Sequence, residues 1–180
     1  MLRLTPAFPI LGLIAFTATA VSGQDAGVPA QSAEESIIAA CSGPEHRQFD
    51  FWIGDWQVAD TSGNVVGSNK ITRVANGCGL NEYWRGANGN NGTSLNWYEP
   101  ATGKWYQLWV GLGLYLRLSG GLEDGKMVLS GERETSQGKV IDRISWIPQA
   151  DQSVRQVWEV SRDAGQTWQP VFNGLYITSD

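Results

Sequence analysis

The sequence predicts an all-β fold, a single antiparallel up-and-down barrel of about eight to ten strands with a short helical segment before it. From residue 56 onward, short stretches typical of strands recur, each bounded by Gly, Asn, Asp or Pro. Their spacing is close to the roughly 8–12 residues of barrels and sandwiches. No stretch between them is long enough for a crossover helix, so neighbouring strands should be antiparallel. Such a run must hide its edges, and closure into a barrel does so.

The length and the N-terminus indicate one exported domain. The chain has 180 residues, enough for a single domain with a substantial core once a leader is removed. Arg3, the apolar run 8–16 and the small residues 18–20 predict a signal peptide, since the run is too short to span a bilayer. Residues 33–40 could form two helical turns at most. The predicted divisions are a signal peptide over 1–23, a linker over 24–47 and the barrel over 48–180, in a periplasmic or secreted protein.

Compartment and charge restrict the chemistry. In an oxidising compartment we expect Cys41 and Cys78, the two cysteines of the chain, to form a disulfide. A catalytic thiol would need a base, and the one histidine, His46, precedes the strands. The formal net charge of −5 and the scattered basic residues argue against nucleic acid or an anionic membrane surface as a partner. We predict no cofactor, no metal and no stable membrane insertion, and the sequence leaves the oligomeric state open.

The barrel begins at the stretch 48–58, in which four aromatic side chains crowd around Gly54. We expect this stretch, with Trp56, to close one end of the barrel. Turn residues then separate the strands, and the clearest hairpin joins 93–99 to 105–110. The predicted strands lie at 56–58, 65–74, 80–85, 93–99, 105–110, 114–118, 127–132, 140–147, 154–161 and 167–177.

Residues 161–168 match the Ser-x-Asp-x-Gly-x-Thr-Trp box found in sialidases. We interpret this box as a hairpin device, in which Ser161 and Asp163 cap backbone groups, Gly165 takes an unusual backbone angle and Trp168 packs beneath. A sialidase propeller would need several copies of the box and a much longer chain. The match therefore predicts a structural turn rather than a glycosidase.

Candidate site residues are polar side chains on strands, most of which have an aromatic neighbour two positions away, whereas Arg143 is grouped with Ser145. Because strand side chains alternate between faces, each such set shares one face. We favour the inner face, because so much tryptophan on the outside would expose a large apolar patch. An aromatic cavity with a few convergent polar groups is how small-molecule sites are built. The predicted ligand-binding residues are Glu82, Trp84, Asn96, Gln107, Trp109, Arg143, Gln156 and Trp158.

The block Phe-Asp-Phe-Trp-x-Gly-x-Trp at 49–56 and a set of residues around it carry a resemblance to a known family. The other residues of the set are Cys41, Gly77, Cys78, Glu82, Trp84, Ser94, Asn96, Tyr98, Pro100, Thr102, Gly103, Trp105, Gln107, Trp109, Arg143, Val154, Arg155, Gln156, Trp158 and Glu159. On these residues the chain resembles exported bacterial lipocalin-like (calycin) barrels that open with the same block, and the resemblance covers most of the predicted mature domain. It implies a cup-shaped barrel for a small, mostly apolar molecule, with Trp56 plugging the closed end and Arg155 as a candidate to pack over its ring.

Two classes of function follow, with a third role as a barrel without ligand left open. The first is a binding protein for a small hydrophobic or aromatic molecule. The alternative is an isomerase- or lyase-like enzyme in which Glu82 is the acid or base and Arg143 stabilises a developing anion. The sequence has no recognisable nucleophile or paired-carboxylate motif, and the resemblance implies no catalytic residues. Related barrels that bind haem use a histidine, and the position of His46 argues against haem here, with ligation by a tyrosine left open.

Overall fold

Ten antiparallel strands form one closed barrel in the computed structural model, which describes residues 41–111 and 113–179. The all-β barrel predicted from the sequence is confirmed. Consecutive strands pair throughout, and the first strand pairs with the last to close the barrel. The strands are β1 (Gly54–Ala59), β2 (Val65–Val74), β3 (Gly79–Gly86), β4 (Asn91–Glu99), β5 (Lys104–Gly111), β6 (Leu114–Glu123), β7 (Lys126–Thr135), β8 (Gly138–Pro148), β9 (Val154–Ser161) and β10 (Gln169–Thr178).

Short 3-10 turns accompany the strands, at Pro44–Arg47, Asp50–Trp52 and Ala75–Gly77. The first two provide the short helical segment expected before the barrel. The predicted signal peptide, the helical turns over 33–40 and most of the predicted linker lie outside the described residues. No helix in the described part of the chain is long and apolar enough to cross a membrane.

An aromatic plug closes the end of the barrel from which β1 begins. Phe49 and Trp52 are fully buried and stack with their ring centroids 4.9 Å apart. Trp146 packs against both rings, at 5.1 and 5.2 Å. The indole of Trp56 is also buried and donates a hydrogen bond to the backbone oxygen of Trp52 at 2.9 Å. A Cβ at Gly54 would lie 3.0 Å from this indole, so the absence of a side chain at Gly54 leaves room for the ring.

A disulfide and an arginine hold the segment before β1 against the turn between β2 and β3. Cys41 and Cys78 are bonded, as the sequence predicted. Arg47 donates hydrogen bonds to the backbone oxygens of Cys41 and of Gly77, the latter at 2.9 Å. The prediction that Arg155 packs over the plug is wrong, because this side chain lies on the outer face of β9 and donates to Asn173 at 2.8 Å.

The turn between β9 and β10 has the hydrogen bonds that the Ser-x-Asp-x-Gly-x-Thr-Trp box predicted. Asp163 accepts from the backbone N–H and the hydroxyl of Thr167, and Ser161 accepts from the backbone N–H of Gly165. The indole of Trp168 donates to the oxygen of Gly165 at 3.1 Å. Hydrogen bonds to the carboxylate, first those from the hydroxyl and backbone N–H of Thr167 and then that from the hydroxyl of Ser161, lower the pKa of Asp163 to about 2. The box is therefore a structural turn.

Candidate functional site

A cavity of about 410 Å³ lies inside the barrel, above the aromatic plug. Its mouth is at the end where β3 passes into β4, because Asn88 and Asn90 of that loop line it. Going inward from the mouth, the inner faces carry first aromatic and then polar side chains. The lining residues are Val66, Glu82, Trp84, Asn88, Asn90, Gln107, Trp109, Leu116, Ile144, Gln156, Trp158, Val171, Phe172 and Tyr176.

Buried polar side chains form a connected layer between the cavity and the plug. Strand alternation points each of them inward, and hydrogen bonds join them from β5 across β4, β3 and β2 to β10 and β9. We call this set the polar layer: Gln107, Asn96, Ser94, Glu82, Asn69, Tyr176 and Gln156.

One arm of the polar layer runs from Gln107 to Glu82. The amide nitrogen of Gln107 donates to the oxygen of Asn96 at 2.8 Å. The amide nitrogen of Asn96 donates to the hydroxyl of Ser94 at 2.9 Å and to the backbone oxygen of Leu80 at 3.2 Å. Ser94 in turn donates its hydroxyl proton to Oε2 of Glu82 at 2.6 Å. The hydrogen bonds of this arm therefore run in one direction, each residue donating to the next, and end at the carboxylate of Glu82.

The other arm runs from Glu82 to Gln156. The amide nitrogen of Asn69 donates to Oε1 of Glu82 at 2.7 Å and to the hydroxyl of Tyr176 at 3.2 Å. Tyr176 donates its own proton to the side-chain oxygen of Gln156. Asn69 and Tyr176 belong to strands that are not neighbours, so their contact crosses β1. This arm connects Glu82 to the far wall of the cavity.

Glu82 is the charged centre of the layer, and burial dominates its electrostatics. Desolvation raises the pKa of Glu82, and the hydrogen bonds from Ser94 and Asn69 oppose the rise only partly. Burial, reinforced by the charge of Glu82, raises the pKa of Tyr176 well above its usual value. Tyr176 therefore stays a phenol that can donate a hydrogen bond.

Four aromatic side chains, which we call the aromatic collar, surround the cavity nearer its mouth. Two of them lie against glycines of the neighbouring strand. A Cβ at Gly92 would come 2.5 Å from the indole of Trp109, and one at Gly67 would come equally close to that of Trp84. The glycines thus let the rings lie along the wall and leave the centre open. The collar consists of Trp84, Trp109, Trp158 and Phe172.

An ion pair supports one side of the collar. Arg133 on β7 binds Asp142 on β8 with its Nε 2.6 Å from Oδ2. Oδ1 of the same carboxylate accepts the indole N–H of Trp158 at 2.8 Å. Asp142 is buried, so the arginine and the indole supply the partners that a buried carboxylate needs. Its charge is therefore already neutralised within the wall.

The structure brings most of the predicted site residues together. Asn96 does not line the cavity itself and supports Gln107 from behind. Six of the predicted ligand-binding residues line the cavity: Glu82, Trp84, Gln107, Trp109, Gln156 and Trp158.

Arg143 is the exception, and its predicted place in the interior is wrong. On β8 the buried residues are Val140, Asp142, Ile144 and Trp146, so Arg143, which alternates with them, points outward. There its guanidinium binds Glu159 at 2.9 Å and lies 3.7 Å over the ring of Trp168. An acid–base pair of Glu82 and Arg143 inside the barrel is thereby excluded.

Sequence reasoning missed two members of the polar layer and passed over a third. Asn69 shares a face of β2 with the buried Ile71, and Tyr176 shares a face of β10 with Phe172. This alternation along the strand was the sequence signal that could have identified Asn69 and Tyr176 as inward-facing residues. Ser94 stands in the resembling Ser-x-Asn-x-Tyr motif but was not among the predicted ligand-binding residues. His46, also buried, packs edge-on against Tyr98 at the closed end, away from the cavity.

The cavity with its aromatic wall is compatible with the binding of a small molecule. Within residues 41–111 and 113–179 no group of three His, Cys, Asp or Glu side chains is arranged to hold a metal ion. The chain matches no protein-family model and no curated protein sequence. The closed barrel is compatible with a calycin-like fold, and the resemblance to the lipocalin-like family continues to rest on the sequence motifs.

Proposed function

We propose that this protein is an exported lipocalin-like barrel that binds a small, mostly apolar or aromatic molecule in its interior. The observation that carries the proposal is the cavity of about 410 Å³, walled by the aromatic collar and floored by the polar layer. This volume falls in the range of roughly 300–1,000 Å³ typical of small-molecule sites. The apolar wall would supply most of the affinity, and the polar floor would orient the ligand.

Export is part of the proposal and draws on two features. The N-terminal sequence has the organisation of a signal peptide, and the disulfide between Cys41 and Cys78 is of the kind that persists in oxidising compartments. The protein would therefore meet its ligand in the periplasm or outside the cell.

A first experiment asks whether the native protein carries a ligand. The protein is purified from its own source without denaturation and analysed by native mass spectrometry. A retained small molecule that dissociates on unfolding supports the proposal.

A second experiment measures binding of a neutral aromatic probe, 2-naphthylmethanol, by isothermal titration calorimetry. Leu116→Trp should abolish binding, because Leu116 lines the cavity and a larger ring would fill it. Leu108→Trp makes the same substitution on the outer face of β5, where the side chain is exposed, and should leave binding unchanged. Equal effects of the two substitutions would contradict an interior site.

A further inference from the structure

When ionised, Glu82 places a negative charge in the cavity that the barrel does not balance. The side chain lines the cavity and is 4% exposed. It takes part in none of the ion pairs that join described residues. Arg133 is on the inner face near the mouth, but Asp142 already holds it. A buried ionised carboxylate without a cation is costly, so this position calls for a partner from elsewhere.

The directions of the hydrogen bonds make both oxygens of Glu82 acceptors. The backbone oxygen of Leu80 can only accept, so the group of Asn96 that faces it must be the amide nitrogen. The same nitrogen donates to Ser94, which leaves the Ser94 hydroxyl proton for Oε2 of Glu82. Asn69 donates to Oε1. The layer thus presents hydrogen-bond donors to both oxygens of Glu82, as suits the carboxylate form, and each oxygen then keeps a further lone pair for another donor.

The cavity walls suit a cation as well. Trp84 lies two residues from Glu82 on the same face of β3, and the other collar rings line the same cavity. Faces of tryptophan attract ammonium groups, the more so away from water. An anionic ligand would instead meet the like charge of Glu82 in a poorly hydrated space, where repulsion is strong.

We infer that the ligand is a small aromatic or apolar amine, bound with its ammonium group against Glu82 and its apolar body within the aromatic collar. This inference rests on the proposed function and specifies the ligand class for the same cavity. The amine enters with its charged end toward the polar layer, because the collar lies nearer the mouth. Its N–H groups take the free lone pairs of Glu82, and its charge neutralises the carboxylate.

The test compares three probes that share one ring system: 2-naphthylmethylamine, 2-naphthylmethanol and 2-naphthoate. Isothermal titration calorimetry at neutral pH should rank the amine tightest and the carboxylate weakest. We expect the amine to bind roughly tenfold or more tighter than the alcohol, as one charge-assisted hydrogen bond in a buried site would give. This comparison needs only the wild-type protein, so it does not depend on the folding of a variant.

Glu82→Gln should then remove the preference and bring amine and alcohol to similar affinity. Glu123→Gln is the matched control, since it removes the same charge at an exposed position at the end of β6. It should preserve the ranking.

The outcomes separate the inference from the proposed function. If the alcohol binds inside the barrel as tightly as the amine, or the carboxylate binds tightest, the amine inference is overturned and the binding function stands. A preference for the amine that survives Glu82→Gln also overturns it, because another group would then hold the ammonium. If none of the probes binds, the interior site for small aromatic molecules is overturned together with the inference.

Discussion

Glu82→Gln should change how the stability of the barrel depends on pH. Burial raises the pKa of Glu82 in the native state, whereas in the unfolded chain a glutamate titrates at about 4.3. Between these two pKa values the native state binds more protons than the unfolded state. The free energy of unfolding therefore falls as pH rises, starting at the unfolded pKa and ending at the raised native pKa. In the variant this contribution is absent.

The magnitude follows from one proton. The slope in the window is about 1.4 kcal/mol per pH unit for a single group. At low pH a protonated Glu82 and a glutamine each present one carbonyl oxygen and one hydrogen-bond donor group, so the two proteins should have similar free energies of unfolding. As pH rises above the unfolded pKa, the wild type should lose stability relative to the variant, which should then be the more stable of the two.

Guanidinium chloride unfolding, followed by tryptophan emission over a pH series, measures both curves. Other titrating groups are common to the two proteins and cancel in the difference, and Glu123→Gln controls for the change in net charge. A difference between wild type and Glu82→Gln that stays constant over the series would refute the reasoning, since it would show that Glu82 ionises without cost in the folded barrel. The pH at which the difference stops growing reports the native pKa.

Three further outcomes are expected. Trp56→Ala should destabilise the barrel by about 3–5 kcal/mol, the range for deleting a buried large aromatic; an unchanged melting temperature would contradict its role in the plug. Reduction of the Cys41–Cys78 disulfide should cost roughly 3–4 kcal/mol, and labelling of both cysteines by a thiol reagent in unfolded, unreduced protein would show that the bond is absent. Arg143→Met should leave probe binding unchanged in calorimetry, because Arg143 pairs with Glu159 on the outer face; a loss of binding would put its side chain back in the interior.

On β3 and β5 the inner face was predicted correctly from a polar and an aromatic residue of the same parity. Glu82 pairs with Trp84 in this way and Gln107 with Trp109, and the structure has all four inside. Shared parity does not by itself say which face of a strand points inward. Arg143 and Ser145 share one face of β8, but their side chains do not show whether that face points inward or outward. The burial of the alternate residues, such as Ile144 and Trp146, shows that it points outward.

Contacts that cross the barrel were beyond the sequence. Asn69 and Tyr176 are 107 residues apart, and a strand lies between theirs. Their meeting depends on how far the strands tilt and shift when the barrel closes, which alternation along a single strand does not determine. For the same reason, the sequence could nominate polar residues for the interior but could not show that their hydrogen bonds converge on Glu82.

The glycines that lie against the collar rings affect which ligand sizes fit the cavity, whereas Glu82 affects which ligand charge is preferred. At Gly92, the atoms nearest to an added Cβ all belong to the indole of Trp109. A side chain at this position would swing that ring toward the barrel axis and narrow the cup, yet it would leave Glu82 and its donors where they are. Substitutions at position 92 during evolution could thus change which ligand shapes fit the cavity, while the charge preference set by Glu82 stays the same.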